Sequence, residues 1–198
     1  MRTIIILLLL IFSAGLVFAQ DIPMDALVGY WSLDEGEGVV AGDSSGHGGH
    51  GELVGGAFWT EGYMGNGIEL DGVSGYIDMG IGDGQFDLEF EVTLSVWVNQ
   101  WEMGNGEHNP WFGKGDHTYM IKHWDGGMYE FFIQDGTNWN LCRAPIDSSH
   151  LFEWHHFAGT YDGFEAKMFI DGVPVDTIAL ETMINVAEHT VALGWNSE

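Results

Sequence analysis

The segment Asp87-Leu88-Glu89-Phe90-Glu91 sets three carboxylates on alternate positions. On a β-strand, residues i and i+2 share a face and lie about 6.6 Å apart, near the separation at which two carboxylates flank a glycosidic bond. A solvated approach to the apolar run at Leu94 to Val98 is the competing reading. His155 and His156 are adjacent, so on a strand they point to opposite faces and cannot chelate one ion together. His47 and His50 fall in the glycine-rich stretch Gly46 to Gly51, where a zinc pair competes with plain turn filling in the absence of any nearby Cys. Spacing assigns no Ser-His-Asp set, and a phosphate-cradling loop needs a following helix that this sequence does not offer.

Two further chemistries fit the residue types better. Calcium wants several oxygen ligands, and Asp43 in Asp-Ser-Ser-Gly and Asp71 ahead of Gly72 are the candidate ligands. The same side chains also close such turns on their own backbone without an ion. Trp101, Trp124 and Trp139 sit at strand ends or beside turns, with Gln100, Asn138 and Asn140 close in sequence. An aromatic face covering a pyranose, with amides taking its hydroxyls, is the chemistry of a sugar site. Capping the ends of a core is the alternative. Trp31, Trp97 and Trp154 fall inside strand-like segments and read as core, since Trp is usually highly buried.

The elements that must carry these residues are strands. Leu94-Ser95-Val96-Trp97-Val98 and His156 to Tyr161 alternate with the two-residue period of a half-buried strand, and no long helical period is present. Asp-Gly occurs at Asp71, Asp83, Asp125, Asp135, Asp162 and Asp171, and this pair accepts the positive φ of tight hairpins. Tyr119 to Trp124 should face Met128 to Ile133, and Ala166 to Ile170 should face Val173 to Ile178. A chain of hairpins this long, with too much apolar surface for one open sheet, predicts two packed antiparallel sheets.

The first residues address the compartment. Arg2, an apolar run from Ile4 to Phe12 and a small-residue site at Val17-Phe18-Ala19 form the pattern of a cleaved signal peptide over residues 1–19, leaving residues 20–198 as one domain with no membrane-spanning stretch. What remains carries Lys114, Lys122, Arg143 and Lys167 against 30 acids. So acidic a surface repels nucleic acid, whose affinity comes from Lys and Arg neutralising phosphates, and suits cations or plain solubility. Cys142 is alone, so no internal disulfide staples the exported chain.

Trp154-His155-His156-Phe157-Ala158-Gly159-Thr160-Tyr161-Asp162-Gly163 followed by Met168-Phe169-Ile170-Asp171-Gly172 resembles the signature of laminin-G-like domains. Gly29 to Gly36 with Asp43 to Gly46, then Gly67 to Asp78, Leu94 to Val98 and Phe112 to Asp116 fit the same family in the same order. The resemblance implies a concanavalin A-like jelly roll, an all-β antiparallel two-sheet β-sandwich. It also implies a secreted or cell-surface, non-catalytic module that binds a polysaccharide or glycoprotein, with calcium as a possible aid. A protein-interaction or spacer domain is the alternative, because fold alone does not choose. Some relatives hydrolyse β-glucans with alternating acids, but in the order Glu, Asp, Glu on a central strand. The order at Asp87, Glu89 and Glu91 differs. Relatives continue past the strand that Thr190 to Gly194 resembles, so the resemblance implies either an incomplete piece of a longer multidomain chain, the favoured expectation, or a sheet with an unpaired edge open to association.

Overall fold

Alternation along Val92–Asn99 shows how this sequence makes a sandwich: Val92, Leu94, Val96 and Val98 are buried while Thr93, Ser95, Trp97 and Asn99 face the other way. The computed structural model describes residues 26–102, 109–124 and 126–196. The leader expected at residues 1–19 and the turn residue Asp125 lie outside them. In chain order the strands are β1 (Val40–Ala41), β2 (Gly51–Val54), β3 (Ala57–Glu61), β4 (Asn66–Leu70), β5 (Tyr76–Asp78), β6 (Val92–Asn99) and β7 (Asn109–Gly113). They continue as β8 (Tyr119–Trp124), β9 (Met128–Gln134), β10 (Trp139–Pro145), β11 (Trp154–Tyr161), β12 (Glu165–Ile170), β13 (Val173–Ala179) and β14 (Ala192–Leu193).

One sheet has the order β1-β2-β5-β14-β7-β8-β9-β10 and the other β13-β12-β11-β6, while β3 and β4 form a separate hairpin. The chain is thus an all-β antiparallel sandwich, as the alternation and turns indicate. The hairpins fall where the Asp-Gly pairs put them: Tyr119 faces Ile133 across β8 and β9, and Ile170 faces Val173 across β12 and β13. In that second turn Asp171 and Gly172 both take positive φ, 52° and 76°, which is the type I′ geometry that matches strand twist.

Between the sheets, Trp111 of β7 packs on Phe157 of β11 with ring centroids 4.4 Å apart, and Tyr129 of β9 lies 4.9 Å from the same ring. Gly159 of β11 gives the room for Phe131 of β9, since a Cβ there would stand 2.2 Å from the ring. Cys142 is buried in this core, and burial pushes its thiol up to about 11. No helix among the described residues is long and apolar enough to cross a membrane.

Two expectations about particular residues need correction. Trp97 and Trp154 are not in the core between the sheets. They lie on the outward parity of β6 and β11, where Tyr63 from the β3–β4 turn stacks on Trp97 with centroids 4.0 Å apart. Asp87, Glu89 and Glu91 are not on a strand. They occupy an irregular run before β6, because Gly82 and Gly84, both at positive φ, turn the chain just upstream.

Candidate ligand-binding rim

One end of the sandwich is closed by the irregular segment 180–190, which runs from β13 back toward β14. Its backbone is tied to both sheets. The Leu180 N–H donates to the Phe164 carbonyl, Ile184 to Glu89 and Asn185 to Gln134, while the Tyr161 hydroxyl donates to the Thr182 carbonyl at 2.6 Å. Ile184 is buried and plugs the gap, so the polar residues around it are presented outward.

On the eight-stranded side of this rim, Trp139 opens β10 with 47% of its surface exposed. Its indole N–H donates to the Asp116 carbonyl at 2.7 Å, which pins the ring without covering it. His117 lies beside it at 5.9 Å, and His189 stacks on His117 at 5.7 Å, so three rings from β10, the loop before β8 and the rim segment form a row. Asn185 Nδ2 donates to the His117 carbonyl at 2.8 Å and holds that loop. Asn138 and Asn140 both donate their side-chain amides to Asp135 Oδ2, at 3.3 and 3.1 Å. The backbone N–H of Asn138, together with these amides and the Thr137 N–H, holds the Asp135 carboxyl down to about 2. The site therefore offers fixed aromatic faces bordered by amides, imidazoles and an ionised acid.

The other aromatic residues singled out by sequence do not join it. Trp139 pairs with Gln134 at one end of β9, whereas Met128 at the far end pairs with Trp124, a separation of roughly 20 Å along the strand. Trp124 is partly buried under the Arg143 guanidinium, 5.0 Å from its ring. Trp101 follows Gln100, whose amide meets the His123 ring, so it shares the end occupied by Trp124 and lies 6.3 Å from Phe152. Trp101 and Trp124 thus belong to one end of the sandwich, and Trp139 with Asn138 to the other.

Asp43 and Asp71 are also apart. Asp43 accepts from the N–H groups of Tyr30, Ser45 and Gly49 and from the Ser45 hydroxyl, at 2.8 to 3.0 Å. Burial raises its pKa, but these bonds outweigh it and hold the carboxyl below the ordinary 3.8. Asp71 accepts from the N–H groups of Ser74, Val73 and Gly75, which hold it far lower. His50 just before β2 accepts from the Asp43 N–H, whereas Gly56 just past the end of β2 lies against Asp71, so roughly 15 Å of chain along β2 separates the two carboxylates. Each carboxylate is thus engaged by backbone N–H groups and a serine hydroxyl, bonds that a calcium ion would have to displace. Among the described residues, no three or more His, Cys, Asp or Glu side chains gather as a metal set.

Two arrangements with catalytic residue types are accounted for by other partners. Asp87 is engaged by the buried Lys114 ammonium, so the first acid of the triplet is committed to an ion pair although it stays exposed to solvent. Ser95 Oγ lies 2.7 Å from His156 Nε2, but Asp171, the acid beside them, spends Oδ1 on the His156 backbone N–H and Oδ2 on the His155 ring, so Asp171 does not orient the His156 imidazole as a triad requires.

The family described as the concanavalin A-like lectin/glucanases superfamily matches residues 71–198. Domain 4 of a GH43 extracellular arabinanase from Geobacillus stearothermophilus, in complex with arabinotriose, is similar in structure. It has 24% identity and a TM-score of 0.60 over 79% of this chain and 78% of that one. The binding domain of botulinum neurotoxin serotype D superposes with a TM-score of 0.64 at 14% identity, over 84% of this chain and 43% of that chain. A botulinum neurotoxin type C structure, whose cell entry depends on interaction with two ganglioside molecules, gives 0.62 at 16% identity over 88% of this chain and 44% of that one. The chain spans under half the length of these toxin chains. No curated protein matches the sequence.

Proposed function

Since the chain belongs to the concanavalin A-like lectin/glucanases superfamily, we propose that it is a non-catalytic, extracellular module that binds a neutral glycan on the Trp139 rim. The observation that carries this reading is the pinned, half-exposed Trp139 ring in a row with His117 and His189. A ring held by its own N–H loses little entropy when a sugar face settles on it, and the bordering amides and imidazoles supply donors and acceptors for hydroxyls. The arabinanase domain complexed with arabinotriose and the ganglioside-dependent toxin support a glycan as the ligand class. The extracellular arabinanase likewise supports an exported setting, as does the leader pattern in residues 1–19.

The test is affinity electrophoresis in gels holding soluble polysaccharides, backed by a glycan array. Trp139→Ala should weaken retardation by about tenfold or more, the scale of a lost central aromatic contact. Trp101→Ala and Trp124→Ala, at the opposite end, should bind as the parent does. Equal binding by Trp139→Ala would remove the rim from the proposal. Running the gels with calcium and with a chelator tests an ion at Asp43 or Asp71, which would require those turns to give up N–H bonds. Product release from laminarin-type glucans, abolished by Glu89→Gln or Glu91→Gln, would replace binding with hydrolysis.

A further inference from the structure

Across the rim segment from Trp139, on the four-stranded side, lies a groove of about 440 Å³ between Phe90–Glu91, the β11–β12 turn at Asp162 to Phe164, and Glu181 to Met183. Its apolar walls are unusually bare: Phe90 is 60% exposed, Phe164 70% and Met183 52%. None of these is loose at the main chain. The Asp162 carboxylate accepts from the N–H groups of Phe164 and Glu165, at 3.0 and 2.9 Å, and the Phe164 carbonyl accepts from Leu180, so the turn fixes Phe164 while aiming its ring at solvent. Phe90 follows Glu89, whose carbonyl is held by Ile184. Contiguous exposed apolar groups on rigid backbone mark an interaction surface.

The polar groups of the groove narrow what it takes. Glu91, Asp162 and Glu181 are acceptors, with no basic side chain among the lining residues. Lys167, whose charge Asp162 feels, is taken by Glu165. Anions and anionic lipid surfaces are repelled, here and by the whole molecule at a formal charge of −25. A neutral glycan would leave three carboxylates desolvated without a counter-charge, which is costly. A cation on an apolar stem fits both features, because its methylenes and charge lie along phenyl faces while carboxylates neutralise its head.

We infer that this groove docks a protein partner through a basic peptide segment, a Lys or Arg side chain flanked by apolar residues set between Phe90 and Phe164 against Glu91 and Glu181. The inference does not rest on the glycan reading.

An acetylated, amidated pentapeptide of alternating leucine and lysine is the probe, titrated into the nitrogen-15-labelled full chain and followed by amide chemical shifts. Shifts should concentrate at residues 90–91, 162–164 and 181–183. The Phe90→Ala/Phe164→Ala double variant should bind at least about tenfold more weakly, and raising NaCl from about 50 to about 300 mM should weaken binding severalfold. The same peptide with glutamine for lysine should not bind. Equal binding of the glutamine peptide, shifts scattered over the acidic surface, or full affinity in the double variant would each overturn the inference. Both substituted rings are exposed, so the variant should keep its fold, which the unchanged dispersion of its amide spectrum away from residues 90 and 164 verifies. Peptide binding can thus fail while the glycan site stands, and the reverse.

Discussion

Glu130 shows how few cations this chain has and where it spends them. In register across three strands, Lys122, Glu130 and Arg143 lie side by side. Arg143 Nε donates to Glu130 at 2.6 Å and Lys122 Nζ stands 3.9 Å away, with the carboxylate side chain 2% exposed. Asp116 also faces Lys122, at 3.5 Å. Removing the shared acid leaves buried positive charge undercompensated, which costs more than the intact pair contributes. Glu130→Gln should therefore lower stability by about 3 kcal/mol in urea titration, and a loss within about 0.5 kcal/mol, the range of an ordinary surface change, would show the row to be dispensable. At this scale the sequence was readable in part. Residue type and neighbouring amides single out Trp101, Trp124 and Trp139 with Asn138 as candidates, but nothing in local spacing says that the hairpins set Trp124 at the opposite end from Trp139. A Trp inside a strand reads as buried, yet parity overrides this at both Trp97 and Trp154, because Val96 and Val98 take the core side of β6 and Phe157 and Tyr161 the core side of β11. His117 and His189 carried no signal, because they meet only when segments 72 residues apart fold together.

Elements answer to sheet spacing. Gly159 lies on the inward parity of β11, between Phe157 and Tyr161, and it is the smallest possible side chain opposite the fully buried Phe131. A methyl group there, 2.2 Å from ring carbons, must push the two sheets apart or force the ring off its rotamer. Gly→Ala in a strand gains up to about 1 kcal/mol from lower chain entropy, whereas overpacking costs about 1–3 kcal/mol or more. Crowding wins on both sides of so tight a contact. Gly159→Ala should thus lower the thermal midpoint, and adding Phe131→Leu should recover part of the loss; if the double variant is worse than either single change added together, the contact is not the cause. The strands and hairpins behind this packing were legible, since alternation and Asp-Gly pairs are local signals. The position of β14 between β5 and β7 was not, because its two residues pair with strands more than 75 positions upstream. Nor was the rim segment 180–190, which has neither strand nor helix period.

At the scale of the molecule, turns closed by carboxylates tie stability to pH. N–H groups from Ser74, Asn138, Ser149 and Glu165 hold Asp71, Asp135, Asp147 and Asp162 below the ordinary 3.8, and Asp43 joins them despite its burial. A depressed carboxyl means that the unfolded chain binds more protons than the folded one as pH falls through 3.8, so stability is present above that value and drains away down to the folded values, about 2 for Asp135. Burial likewise holds His150 and His156 below 6.5, which adds a smaller loss of the same sign just below that pH. Self-repulsion works the other way: a formal charge of −25 relaxes toward zero as the pH approaches 4.2, and this strengthens the folded state. The two effects oppose each other between pH 6.5 and 4.5, where the thermal midpoint should change little. Below about pH 4 the charge relief is spent and the turns lose their acceptors together. Near-UV circular dichroism of the tryptophans, followed at fixed salt, should show the midpoint collapsing between about pH 4 and about pH 2; a midpoint still flat at pH 2 would mean that these carboxylates decorate the turns without holding them.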